Sequence, residues 1–185
     1  MPVSIVSGAL RRRVEALMLE GEPTTAGLIQ RFLELLGPEL DVSRACFNVK
    51  RNRVYTTELE WLAAGVKSSL GEKVSARIIE SLVADDIREL NKDTAKELLP
   101  PGLRLISGSV LGILEVLQRL VAIVAGPIRY RGELVAVVSF DICKERKASA
   151  GWSGRKLNAV GALIHRLNAV LELKQNLLAE RPFVQ

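Results

Sequence analysis

Residues 120–143 read LVAIVAGPIRYRGELVAVVSFDIC, and this stretch decides the fold. Two β-rich apolar runs flank Arg131-Gly132, the signature of an antiparallel hairpin closed by a two-residue turn. Both runs are apolar at nearly every position, which predicts central strands covered on both faces. Ser139 and Asp141 are the polar exceptions in the second run. Their spacing of two places them on one face of the sheet.

Upstream, VSRACFNVK (residues 42–50) alternates, as a half-buried strand does. Ala45, Phe47 and Val49 point one way; Arg44, Cys46, Asn48 and Lys50 point the other. A short basic turn around Arg51-Asn52 leads into a second strand, Val54 to Trp61, since Asn accepts left-handed dihedrals. Helical spacing predicts a helix over residues 8–20, with Leu10, Val14, Leu17 and Met18 on one face. Thr24 or Thr25 can cap a second helix ending at Gly37-Pro38. A third is predicted over 72–83, followed by a short extended piece from Ala84 to Leu90. Pro100-Pro101-Gly102 breaks the next stretch. Ser107 or Ser109 can cap a helix to about Arg119, and Ser153 a long one to about Ala179. Helices at both ends and in the middle of strand hairpins make an α+β architecture around an antiparallel sheet.

The 185 residues are 48% hydrophobic and 25% charged, a globular composition, with one domain's length. Aromatics are 4%, so the core is aliphatic. No apolar run reaches the ~20 residues a bilayer requires, so no membrane association is expected. Cys46 and Cys143 lie far apart with no CxxC, which fits a reducing compartment; a cytoplasmic location is the default. They form a redox pair only if their strands are neighbours; otherwise they are small buried apolar groups. The single His165 excludes a two-histidine zinc motif. Asp85-Asp86 would bind a cation or an amine, but adjacent acids on an extended piece face opposite ways. No phosphate loop, nucleophile elbow or metal framework is present, so no enzyme activity is expected and no cofactor is indicated.

At this point the sequence resembles the GAF domain family of sensor and regulatory modules. The likeness spans roughly residues 24–175, leaving 1–23 as an N-terminal helical extension and 176–185 as a tail. It is carried by GEKVSARIIESLVADDIREL (71–90), by LVAIVAGPIRYRGELVAVVSFD (120–141) and by the long helix from Leu157. It implies a PAS- or profilin-like central antiparallel sheet of five or six strands, with the N- and C-terminal helices on one face. The cyclic-nucleotide pattern is broken after Asn91-Lys92. Neither cysteine is followed by the His of a bilin attachment site, and the cysteine set of the methionine sulfoxide reductase branch is absent. The resemblance implies fold and general class rather than a ligand.

The family places its ligand between the sheet and the middle segment, here 84–119. With a first-hairpin turn of two or four residues, Asn48 faces Tyr55, Cys46 faces Thr57 and Arg44 faces Leu59. One face then carries Arg44, Cys46, Asn48, Tyr55, Thr57 and Trp61, joined by Ser139 and Asp141. Apolar walls with a few polar groups suit a small ligand. A lid over Pro100–Ser109 would bring Arg104, and two arginines favour a carboxylate or phosphate. The plain alternatives are an exposed edge hairpin, or an Asp141 that pairs with a nearby Arg while side chains fill the site.

The reading that follows is a non-catalytic module that senses a small anionic molecule. It would act as a homodimer through its terminal helices, because Leu163, Val170, Leu173 and Leu177 form a second apolar set on the last helix. The net charge of +5 supports a second reading. In it, the hairpin turns with Arg51, Arg53, Arg129 and Arg131 meet an acidic protein partner, or nucleic acid as in a transcriptional regulator.

Overall fold

The computed structural model describes residues 8–19, 24–83, 88–91, 120–143 and 154–177. Its elements are α1 (Gly8–Leu19), α2 (Thr25–Glu39), β1 (Arg44–Arg51), β2 (Val54–Leu62), β3 (Lys73–Ser75), α3 (Ala76–Val83), β4 (Arg88–Asn91), β5 (Leu120–Tyr130), β6 (Glu133–Cys143) and α4 (Gly154–Leu177). The strands form one six-stranded sheet in the order β3-β2-β1-β6-β5-β4. Every neighbouring pair runs antiparallel.

Strand periodicity divides the sheet into two faces. On one, Ala45, Phe47 and Val49 of β1, Val124 and Ile128 of β5, and Ala136, Val138 and Phe140 of β6 are buried. They share a single core with Leu10 and Val14 of α1, Leu28, Phe32 and Leu36 of α2, and Val160, Ile164, Leu167 and Leu171 of α4. Burying each large aliphatic or aromatic side chain contributes about 1.5–3 kcal/mol. The terminal helices therefore lie together on one face, as expected. The other face meets α3, whose Ala76, Ile79 and Val83 pack with Tyr55, Ala125, Leu134 and Val137.

Local chemistry accounts for the boundaries. Thr24 caps α2, accepting the Gly27 N–H at 3.0 Å. The helix does not end at Gly37-Pro38 but runs to Glu39. Beyond the proline, Leu40 N–H still reaches the Leu36 carbonyl at 2.9 Å and Val42 N–H the Gly37 carbonyl at 3.3 Å. Gly37 is required for another reason: a Cβ there would sit 2.0 Å from Cε3 of Trp61. The helix predicted over 72–83 is shorter than expected. Lys73–Ser75 pair instead with Val54–Thr56 as β3, and the helix starts at Ala76. Long-range pairing overrides local propensity there.

In the β5–β6 hairpin, Arg131 (φ 51°) and Gly132 (φ 82°) both take left-handed dihedrals, the pattern of a type I′ turn. Asn52 does likewise at φ 58°. Pro127 is tolerated within β5 because the described pairing with β4 ends at Ala125. The expected helix to Arg119, the Pro100–Ser109 lid and Asp85-Asp86 lie outside the described residues, as does Ser153.

Candidate functional site

The alternation in β1 sends Arg44, Cys46 and Asn48 to the sheet face opposite the main helix layer. The β1–β6 register then sets Arg44 opposite Asp141, Cys46 opposite Ser139 and Asn48 opposite Val137. Nε and Nη2 of Arg44 both donate to Oδ2 of Asp141, at 3.0 and 2.7 Å. The pair is buried, with side chains 10% and 5% exposed. Oδ1 of Asp141 is also buried and, among the described residues, has no hydrogen-bond partner. Burial pushes the Asp141 carboxyl above its ordinary range; the Arg44 cation and, more weakly, the nearby Ser139 hydroxyl pull the other way. Burial is the largest single effect on Arg44 and opposes its charge, but Asp141, Cys46 and Cys143 together outweigh it, so the guanidinium stays charged.

Beside this pair lies a polar network. Thr57 Oγ1 donates to Asn48 Oδ1 at 2.8 Å, and Asn48 Nδ2 donates to the Val137 carbonyl at 3.3 Å and to Ser139 Oγ at 3.4 Å. Cys46 Sγ lies 3.5 Å from Ser69 Oγ. Ser69 donates from its backbone N–H and its hydroxyl to Glu60 Oε2, at 2.9 and 3.0 Å, and Ser68 Oγ bonds the other oxygen of Glu60. Glu60 thus ties the β2–β3 loop down beside the network. Tyr55 is buried, and its hydroxyl has no partner among the described residues. Burial pushes both the Tyr55 hydroxyl and the Cys46 thiol well above their usual ranges, so both are neutral.

The expected register of the first hairpin is corrected. The turn is Asn52-Arg53, one residue later than predicted, so Asn48 faces Thr57 and Tyr55 faces Lys50. A bulge between Phe47 and Asn48 then shifts the remaining pairs, so Cys46 faces Glu60 and Arg44 faces Leu62. One extra residue reverses the side-chain alternation of β2 beyond Thr57. Tyr55 and Thr57 stay with Asn48, but Trp61 does not. Trp61 faces Ala45 and packs on the helix-side core against Gly37. Glu60 takes the place expected for it. Glu60 and Ser69 were missed because Thr56-Thr57-Glu58 contains no glycine to mark a bulge. Arg104 lies outside the described residues.

Cys46 and Cys143 are free and buried. Their strands are neighbours, but Cys46 faces Ser139. Cys143 lies four residues farther along β6, roughly 13 Å away, beyond disulfide reach. Among the described residues, no group of three or more His, Cys, Asp or Glu is placed to hold a metal ion. His165 is exposed on α4.

By sequence, no protein-family model and no curated protein matches the chain. Solved structures do. The phycocyanobilin-bound GAF domain from a cyanobacterial phytochrome superposes with a TM-score of 0.70 at 14% identity, covering 97% of this chain and 100% of that one. The fold is that of a GAF domain. A phycoerythrobilin-bound GAF domain from a cyanobacterial phytochrome matches with a TM-score of 0.67 at 12% identity, over 93% of this chain and 97% of that one. The GAF domain from a phosphoenolpyruvate-protein phosphotransferase of Coxiella burnetii gives 0.62 at 11%, over 93% and 96%. At such identities the likeness establishes the GAF architecture and leaves the ligand to this chain's own residues.

Proposed function

We infer that this GAF domain is a non-catalytic sensory or regulatory module that binds a small molecule on the sheet face carrying Arg44, Asn48, Thr57, Ser139 and Asp141. The observation that carries this reading is the Asp141 carboxylate: it is buried, one oxygen is held by Arg44, and among the described residues the other accepts no hydrogen bond. Buried polar atoms are nearly always satisfied, so Oδ1 calls for a donor from a ligand or a water. Two of the similar GAF domains hold a bilin, which supports small-molecule binding by the fold.

The Arg44–Asp141 pair favours a ligand that brings a donor. Arg44 is committed to Asp141, so the described part of the site has no spare cation for an anion. The ligand presents a hydrogen-bond donor, such as an amide, amine or ring N–H, to Asp141 Oδ1. Any acidic group on it is balanced elsewhere. The test is to extract small molecules from protein purified without denaturation from its host, identify them by mass spectrometry and add them back. The expected result is a rise in melting temperature that Asp141→Asn removes while remaining folded. An identical rise in the variant, or no extracted compound that raises the melting temperature, overturns the reading.

Output through a second copy belongs to the same reading. Leu163 and Val170 serve the domain's own core, but Leu19 of α1 is 84% exposed and Leu173 of α4 is 60% exposed. These exposed leucines support a homodimer through the terminal helices. Light scattering that gives a monomer mass at micromolar concentration refutes it. Among the described residues no helix is long and apolar enough to cross a membrane. The two free cysteines suit a cytoplasmic setting.

A further inference from the structure

The two hairpin turns lie at the same end of the sheet. Val49 of β1 faces Ala136 of β6 in an antiparallel pair, so the end of β1 at Arg51 lies beside the start of β6. The turns Asn52-Arg53 and Arg131-Gly132 are therefore neighbours, about two strand spacings or roughly 10 Å apart. The start of α3 abuts the same end, because Ala76 N–H donates to the Arg53 carbonyl at 2.8 Å. Arg51, Arg53, Arg77 and Arg131 are all exposed there.

Few of these charges are neutralised. Glu58 holds Arg51 at 2.6 Å. Glu172 accepts the backbone N–H of Arg131 at 3.3 Å, not its guanidinium. Among the described residues, Arg53, Arg77 and Arg131 form no ion pair. Arg131 also occupies a left-handed position, φ 51°, where Gly or Asn would sit without strain. Its guanidinium lies over the Tyr130 ring, 5.2 Å from the centroid, which holds a planar donor fork at the tip of the turn.

We propose that this end of the sheet docks an acidic polypeptide segment whose carboxylates, roughly 10 Å apart, engage Arg53 and Arg131. In a polyproline II peptide that spacing is three residues, because three residues per turn at about 3.1 Å per residue set both side chains on one face. The patch does not suit a phosphate backbone. Glu58, Glu133 and Glu172 stand among the arginines, and closely spaced phosphates would meet them. A peptide can set neutral residues over those acids and carboxylates over the arginines. The surface is separate from the ligand face and stands without it.

The test is fluorescence anisotropy at low ionic strength with a labelled Gly/Ser peptide bearing glutamate at every third position. Its comparators are an isomer with adjacent glutamates and a short DNA duplex. The spaced peptide is expected to bind most tightly and to weaken as salt rises. Arg53→Asn with Arg131→Asn, which keeps the left-handed dihedral at position 131 accessible, is expected to weaken it at least about fivefold while leaving the melting temperature within a few degrees. Charge reversal at both positions weakens it further. Unchanged affinity in the Asn variant, equal binding of the two peptides, or tighter binding of the duplex overturns the proposal.

Discussion

Arg44 holds Asp141 across the β1–β6 pair through a single carboxylate oxygen, at 2.7 Å from Nη2 and 3.0 Å from Nε. A bidentate fork would satisfy both oxygens. Here the geometry concentrates the cation on Oδ2 and leaves Oδ1 buried with no donor among the described residues. The pair is therefore both a structural clamp between two central strands and an incomplete hydrogen-bonding site. The two roles separate experimentally.

The clamp makes stability depend on pH in a defined direction once Arg44 is removed. Burial raises the Asp141 carboxyl, and Arg44 opposes that. In Arg44→Met the main opposition is gone, so the native carboxyl rises further above its unfolded value of about 3.9. A raised native value means stability is present at low pH and lost as pH rises through that value. The variant should be less stable than wild type by about 3–5 kcal/mol near pH 8. The deficit should shrink near pH 5, and adding Asp141→Leu should recover most of it at pH 8. Urea midpoints at the two pH values check this; a deficit independent of pH contradicts it.

Gly37 is held in α2 by Trp61. Alanine normally favours a helix over glycine by about 1 kcal/mol. At this position its Cβ would meet Cε3 of Trp61 at 2.0 Å and Cδ2 at 2.4 Å. Gly37→Ala should therefore destabilise by about 1–3 kcal/mol. In a Trp61→Leu background the sign should reverse. Denaturant unfolding of the four proteins reads both effects, and a stabilising Gly37→Ala in the wild-type background refutes the contact.

What the sequence showed and hid follows from the range of each interaction. The β5–β6 hairpin was legible because its signal is local: two apolar runs around Arg131-Gly132. The shared face of Arg44, Cys46 and Asn48 was legible from alternation alone. So was that of Ser139 with Asp141. The pairing between those sets depends on long-range register, and the bulge at Phe47/Asn48 is a backbone event with no residue to announce it. It cost the site Trp61 and hid Glu60. β3 was read as helix because its partner, Val54–Thr56, lies about twenty residues upstream in sequence. The Arg44–Asp141 ion pair is the plain alternative that the sequence allows for Asp141.

The two thiols should be inert in the native state. Both are buried, and burial keeps Cys46 protonated at any working pH. Reaction with a thiol-disulfide indicator near pH 8 should be slower than in denaturant by orders of magnitude. Both thiols should titrate after unfolding, and no disulfide should form under mild oxidation. Rapid native labelling, or a Cys46–Cys143 crosslink, contradicts the register that separates them.

Asn48 joins three strands through one amide. It accepts from Thr57 of β2 at 2.8 Å and donates to Val137 and Ser139 of β6 at 3.3 and 3.4 Å. Asn48→Ala leaves the Thr57 hydroxyl without its acceptor and removes the donor shared by Val137 and Ser139. The expected loss is about 1–3 kcal/mol. Thr57→Val removes a single bond and should cost about 1 kcal/mol. If the Thr57–Asn48 bond at the bulge stabilises the sheet, the double variant should lose less than the sum of the two, by about 0.5–1.5 kcal/mol. Strict additivity in that cycle means the bond contributes nothing. The register shift would then rest on the packing of Trp61 against α2 alone.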